Sequence, residues 1–137
     1  MDQKPVVLLI EDDNLLVRMY QDKFTQDGYK VNVALDGEEG LAKLKEEKPT
    51  LILLDIMMPK VNGFEALKKI KADPDCKSIP VILLTNLGGQ DDAKHGLEMG
   101  AVAYMIKSDY TPDQVVAKVK EILAASTRDD AVPKAAE

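Results

Sequence analysis

Four places in this chain carry side chains whose chemistry asks for an explanation: the acidic triplet Glu11-Asp12-Asp13, the lone Asp55, the hydroxyl of Thr85 and the amine of Lys107. Asp55 is the sharpest. Leu51-Ile52-Leu53-Leu54 precede it and Ile56-Met57-Met58 follow, and a carboxylate set in such an apolar stretch is costly unless something pairs with it. The others have plainer readings when taken singly. Asp12 or Asp13 can cap a helix, Thr is a common strand residue, and most lysines are solvated. Three acids in a row nevertheless exceed what one cap needs.

The elements that must position these residues follow from the rhythm of the chain. Val6–Ile10, Val31–Leu35, Leu51–Leu54, Val81–Leu84 and Val102–Ile106 are short aliphatic runs of strand length. Several are apolar throughout, as strands covered on both faces are. Between them the apolar residues recur at helical spacing: Leu16, Tyr20 and Phe24; Leu41 and Leu44; Ala66, Leu67 and Ile70; Val115, Val119, Ile122 and Leu123. Asp36 with Glu39 and Asn62 with Glu65 have the form of capping boxes, and Thr111-Pro112-Asp113-Gln114 adds a proline at the first helical position. Gly28 and Pro49 supply stops. The stretch Gly88–Gly96, with three glycines and few apolar anchors, predicts a weak fourth helix that could move. Met57 and Met58 read as core filler, His95 as a surface residue and Cys76 as an ordinary loop thiol.

Five strand–helix repeats predict an α/β fold: a doubly wound, five-stranded parallel sheet of flavodoxin-like type. In such sheets sites form where the strands end, near the point at which strand order reverses. That rule brings Glu11, Asp12, Asp55, Thr85 and Lys107 to one rim. Carboxylates converging there repel one another unless a cation intervenes, and an oxygen-rich set without His or Cys suits Mg2+. A magnesium ion beside a carboxylate is the setting for phosphoryl transfer, with Lys107 and Thr85 available to the phosphoryl oxygens.

Bulk properties narrow the field. The chain has 137 residues, a net charge of −6 and an apolar fraction of 45%. It fits one domain, residues 1–125, followed by a tail from Ser126 to Glu137 without periodicity, expected to be disordered. The acidic balance disfavours direct binding to nucleic acid. No apolar run approaches the roughly 18 residues of a membrane helix. The polar N-terminus and the single Cys76 fit a cytoplasmic location without membrane insertion.

Taken together, Val7–Asp13, Leu53–Gly63, Val81–Thr85 and Tyr104–Lys107 resemble the receiver domain of two-component response regulators, in the right order and at the right separations. The resemblance covers about residues 5 to 125. It implies that Asp55 is the phosphoacceptor and that Asp12 ligates Mg2+ directly. Glu11 would act through water, and the Met57 backbone carbonyl would complete the protein ligands. It implies that Thr85 and Tyr104 are the switch pair, that Lys107 pairs with the phosphoryl oxygens and that Asp13 is the cap. The implied donor is a sensor histidine kinase or phosphotransfer protein, and the implied reader is a downstream effector that meets the face of the fourth helix, fifth strand and fifth helix.

One position departs from the family pattern: Ser108 stands where a proline usually follows the lysine. Because a non-proline cis bond costs about 2.5–4 kcal/mol, the Lys107–Ser108 bond is expected to be trans. Three alternative classes stand beside this one. A phosphatase of the haloacid dehalogenase type needs an acid two residues after its Asp nucleophile, and position 57 is Met. A flavodoxin-like carrier needs a phosphate-cradling first loop, which Glu11-Asp12-Asp13 would oppose. A constitutive interaction module stays open on sequence alone.

Overall fold

The computed structural model describes residues 4–58 and 61–131, with side chains through residue 125. Its elements run β1 (Val6–Ile10), α1 (Asn14–Gln26), β2 (Lys30–Ala34), α2 (Gly37–Glu46), β3 (Leu51–Leu54), α3 (Gly63–Ala72), β4 (Val81–Thr85), α4 (Gln90–Glu98), β5 (Ala103–Ile106) and α5 (Pro112–Ala131), with a single 3-10 turn at Lys107–Asp109. All strand pairs are parallel, and the order across the sheet is β2-β1-β3-β4-β5. The sheet is the expected one.

Adjacent strand residues point to opposite faces, and both faces are covered. Leu8, Ile10, Ile52, Leu54 and Leu83 pack with Leu44 of α2 and Leu67 and Ile70 of α3. Val7, Leu9, Leu51, Leu53, Ile82 and Leu84 pack against Tyr20 and Phe24 of α1 and Val115, Val116 and Val119 of α5. Hence β1, β3 and β4 are apolar without alternation, while the edge strand β2 is only partly buried.

The helix starts are fixed as the sequence indicates. Asp13 caps α1, accepting from Leu15 N at 3.0 Å and Leu16 N at 3.2 Å. Asn62 and Glu65 form a reciprocal capping box, and Thr111 and Gln114 exchange the same pair of bonds at α5. At α2, Asp36 accepts from Glu39 N, but the Glu39 carboxylate reaches back to Leu35 N. Gly28 closes α1 with φ +90°, a left-handed conformation that glycine adopts without strain.

Three expectations need correction. Gly88 and Gly89 lie before α4, with Gly89 as its N-cap, so Gly96 is the helix's one internal glycine. Gly96 lies close against the sheet: a Cβ there would collide with Leu83 Cδ1 and force that buried side chain to shift. Met57 is not core filler: its side chain is 59% exposed, since the chain turns out of the sheet directly after Asp55. Finally, α5 runs through Ala131, so residues 126–131 are helical where an irregular tail was expected, and 132–137 lie outside the described residues. Among the described residues no helix is long and apolar enough to cross a membrane.

Candidate functional site

β1 and β3 are neighbours, and the chain leaves them toward opposite edges of the sheet; the crevice at their C-terminal ends is where such folds place their sites. Glu11 N donates to Ala34 O and Asp55 N to Ile10 O, each at 3.0 Å, so both residues extend the ladder by one step and are held rigidly at the rim. Their side chains are nearly inaccessible, Glu11 at 1% and Asp55 at 4% exposure. Asp12, one residue on, faces solvent.

Lys107 unites the two buried acids. Its Nζ lies 2.5 Å from Glu11 Oε1 and 3.0 Å from Asp55 Oδ2. The other oxygen of Asp55, Oδ1, accepts from Met57 N at 3.2 Å, and Glu11 Oε2 accepts from Asp13 N at 3.0 Å. The Lys107–Ser108 bond is trans, as expected, and the short 3-10 turn after Lys107 is compatible with this reach.

The electrostatics follow from burial. Desolvation pushes the Glu11 carboxyl above its ordinary range, and the nearby Asp55 charge adds to this against the hydrogen bonds from Lys107 and the Asp13 N–H. Burial would pull the Lys107 ammonium down, but its bonds to Glu11 and Asp55 outweigh that and hold it above the ordinary lysine value. Both shifts favour bound protons, as a cluster rich in carboxylates should. One carboxylate oxygen each from Glu11, Asp12 and Asp55 lie within 4.8 Å of one another. Three acids against one lysine leave a local excess of negative charge. An all-oxygen donor set of this kind fits a hard divalent cation.

Thr85 and Tyr104 are not bonded to this cluster. Thr85 is fully buried at the end of β4, and its Oγ1 accepts from Leu87 N at 3.2 Å. The Tyr104 hydroxyl donates to the Leu87 carbonyl. Burial, with the charges of Asp92 and Asp55, raises the Tyr104 hydroxyl above its ordinary value.

Two contributors escaped the sequence reading. Leu87 gives no chemical signal in its side chain, because its role lies in its backbone. Gly63 opens α3 so close to Asp55 that a Cβ would collide with Asp55 O and Ile56 Cα. Its place in the run Pro59-Lys60-Val61-Asn62-Gly63 was the one available sign.

Chemically, the arrangement presents a carboxylate oxygen at Asp55 beside a cation-attracting pocket and a buried ammonium. The chain belongs to the response regulator receiver domain family, whose model matches residues 7–120. It is 39% identical over 120 residues to the alkaline phosphatase synthesis transcriptional regulatory protein PhoP of Bacillus subtilis, covering 88% of this chain and 49% of that one. Among solved structures it superposes on a CheY-like receiver domain protein from Methanospirillum hungatei with a TM-score of 0.86 at 28% identity, covering 93% and 99% of the two chains. It also matches the Mn(2+)-bound form of response regulator Rcp1, with a TM-score of 0.73 at 33% identity over 80% and 85% of the chains. The chain spans between 22% and 49% of the length of the first curated relatives it matches.

Proposed function

We propose that this chain is the phosphoacceptor switch of a two-component system, with Asp55 as the residue that is phosphorylated. The observation that carries this reading is the convergence of Lys107 and the Glu11–Asp12–Asp55 oxygen cluster at the ends of β1, β3 and β5. The donor is a phosphohistidine on a sensor histidine kinase or phosphotransfer protein. An Asp55 carboxylate oxygen forms the new O–P bond as the N–P bond of the phosphohistidine breaks. The bonding pair stays on the imidazole, which takes up a proton from solvent.

Glu11, Asp12, Asp55 and the Met57 backbone carbonyl would hold Mg2+, Asp12 directly and Glu11 through water. When bound, the ion neutralises charge on the phosphoryl oxygens. That the response regulator Rcp1 has an Mn(2+)-bound form supports a divalent cation as the ligand of such a chain. Lys107, already on Asp55 Oδ2, is in position to turn to the phosphoryl oxygens. The Thr85 hydroxyl keeps its proton free for donation while its oxygen accepts from Leu87 N. Moving that hydroxyl toward the phosphoryl group releases Leu87 N and alters the segment that Tyr104 holds by its carbonyl. The chemical change thereby reaches the face of α4, β5 and α5, where an effector protein reads it.

The chain catalyses its own phosphorylation and dephosphorylation and turns over no external ester, since no acid lies two residues after Asp55. Residues 1–125 form the acceptor unit. It works in the cytoplasm, and its acidic balance supports action through protein partners rather than nucleic acid. Incubation with a radiolabelled phosphohistidine protein tests the reading: label should move to the wild type but not to Asp55→Asn, and excess chelator should stop the transfer. Equal labelling of Asp55→Asn would overturn it.

A further inference from the structure

A hollow of about 650 Å3 lies away from Asp55 between α3 and α4, bridged by the edge-to-face pair Phe64–His95 with ring centroids 4.8 Å apart. Phe64, Ala72 and Met99 give it an apolar lining, while Glu65, Lys68 and Lys71 stand at its rim. Phe64 also walls a second hollow of about 580 Å3 formed with Met57, Met58 and Leu87. Phe64 thus stands between two hollows, one on the α4 side and one beside Met57 and Leu87.

The charges at the rim are unequally committed. Glu65 is turned to its capping box, accepting from Asn62 N at 3.4 Å. Lys71 is turned inward, donating to Lys77 O at 2.9 Å and Ile79 O at 3.0 Å. Lys68 is exposed and has no ion-pair or hydrogen-bond partner among the described residues. On a chain of net charge −6, this groove thus offers an uncommitted cation above an aromatic and methionine floor. That is the complement of an amphipathic helix with apolar anchors flanked by acids.

We propose that the α3–α4 groove docks an acidic amphipathic helix of a partner protein. An apolar side chain of the helix packs between Phe64 and Met99, and a carboxylate pairs with Lys68. This surface shares α4 with the α4–β5–α5 face but lies on its α3 side, and the docking does not require Asp55 to be phosphorylated, so it goes beyond the function proposed above.

The test is an amide NMR titration of the full, unphosphorylated chain with a synthetic helical peptide carrying leucines at i and i+4 and glutamates beside them. A matched peptide has lysines in place of the glutamates. Saturable shifts are expected at Phe64, Lys68, His95 and Met99 with the acidic peptide, and no saturable shifts with the basic one. Lys68→Glu, an exposed substitution, should weaken the affinity about fivefold by replacing one exposed ion pair with a repulsion. Shifts centred instead on Leu97, Val102 and Tyr104, an affinity unchanged in Lys68→Glu, equal binding of the basic peptide, or no binding would each overturn the proposal. Shifts at the groove on simple dilution would reassign it to a second copy of this chain. None of these results depends on phosphoryl transfer, so they leave the reading of Asp55 separately testable.

Discussion

Thr85 and Tyr104 hold the two sides of one residue: Leu87 N–H bonds to Thr85 Oγ1 at 3.2 Å, and the Leu87 carbonyl accepts the Tyr104 hydroxyl. The two side chains come from neighbouring strands, β4 and β5, and meet through the backbone between β4 and α4. A change at either is felt by the other through that shared peptide segment. Thr85→Ala and Tyr104→Phe should each cost about 1 kcal/mol, the net worth of one partly buried hydrogen bond. In urea denaturation the double variant should depart from additivity by about 0.5 kcal/mol or more. Additive losses would mean that Leu87 does not couple them.

Among the described residues, Lys107 is the one ammonium ion-paired with the buried acids Glu11 and Asp55. Lys107→Met leaves two carboxylates facing each other at low exposure, which should destabilise the fold by about 3 kcal/mol without divalent ions. Adding Glu11→Gln should recover part of the loss. A Lys107→Met protein as stable as wild type in chelator would contradict the pairing.

Magnesium should stabilise the folded chain by mass action, about 1.4 kcal/mol at a free concentration ten times its dissociation constant. Asp12 is exposed, so Asp12→Asn should leave the metal-free stability nearly unchanged yet abolish this gain. Thermal melts with and without chelator decide the matter; a full magnesium response in Asp12→Asn would remove Asp12 from the ligand set.

Gly63 sits where α3 begins against the Asp55 backbone. Gly63→Ala should overpack this contact and cost about 1–3 kcal/mol. It should also slow phosphoryl uptake beyond what the stability loss explains, because the displaced backbone is that of Asp55, the proposed acceptor. Wild-type uptake in a folded Gly63→Ala protein would show that the loop absorbs the methyl elsewhere.

The raised pKa of Tyr104 sets a pH dependence. Below the ordinary tyrosine value of 10.0, folded and unfolded chains both keep the proton and its hydrogen bond contributes fully. Above it the unfolded chain ionises first and binds fewer protons, so stability falls as pH rises through the folded value. The advantage of wild type over Tyr104→Phe should therefore hold up to about pH 10 and shrink above it, as followed by denaturant midpoints. A constant advantage across that range would place the hydroxyl in an ordinary solvated setting.

Much of this was legible in the sequence because the strands are signalled twice, by aliphatic runs and by the caps that follow them. Val6–Ile10, Leu51–Leu54 and Val81–Thr85 are covered on both faces, so their apolar runs mark the elements, and the residues that end or follow those runs make up the candidate site. What escaped was whatever depends on backbone proximity between distant segments. The collision forbidden at Gly63, the double bond of Leu87 and the packing of Gly96 on Leu83 leave no periodicity to read. The glycines before α4 looked destabilising only because the helix start was placed too early. Lys107 was placed correctly at its strand end, but its simultaneous hold on Glu11 and Asp55 required the geometry.

The central claim is that Asp55 accepts a phosphoryl group, and intact mass measurement after incubation with an acyl phosphate donor tests it most directly. A single phosphoryl adduct is predicted for the wild type in magnesium, absent in chelator and absent in Asp55→Asn. An adduct that persists in Asp55→Asn, or a wild type that stays unmodified in magnesium while remaining folded, would contradict it.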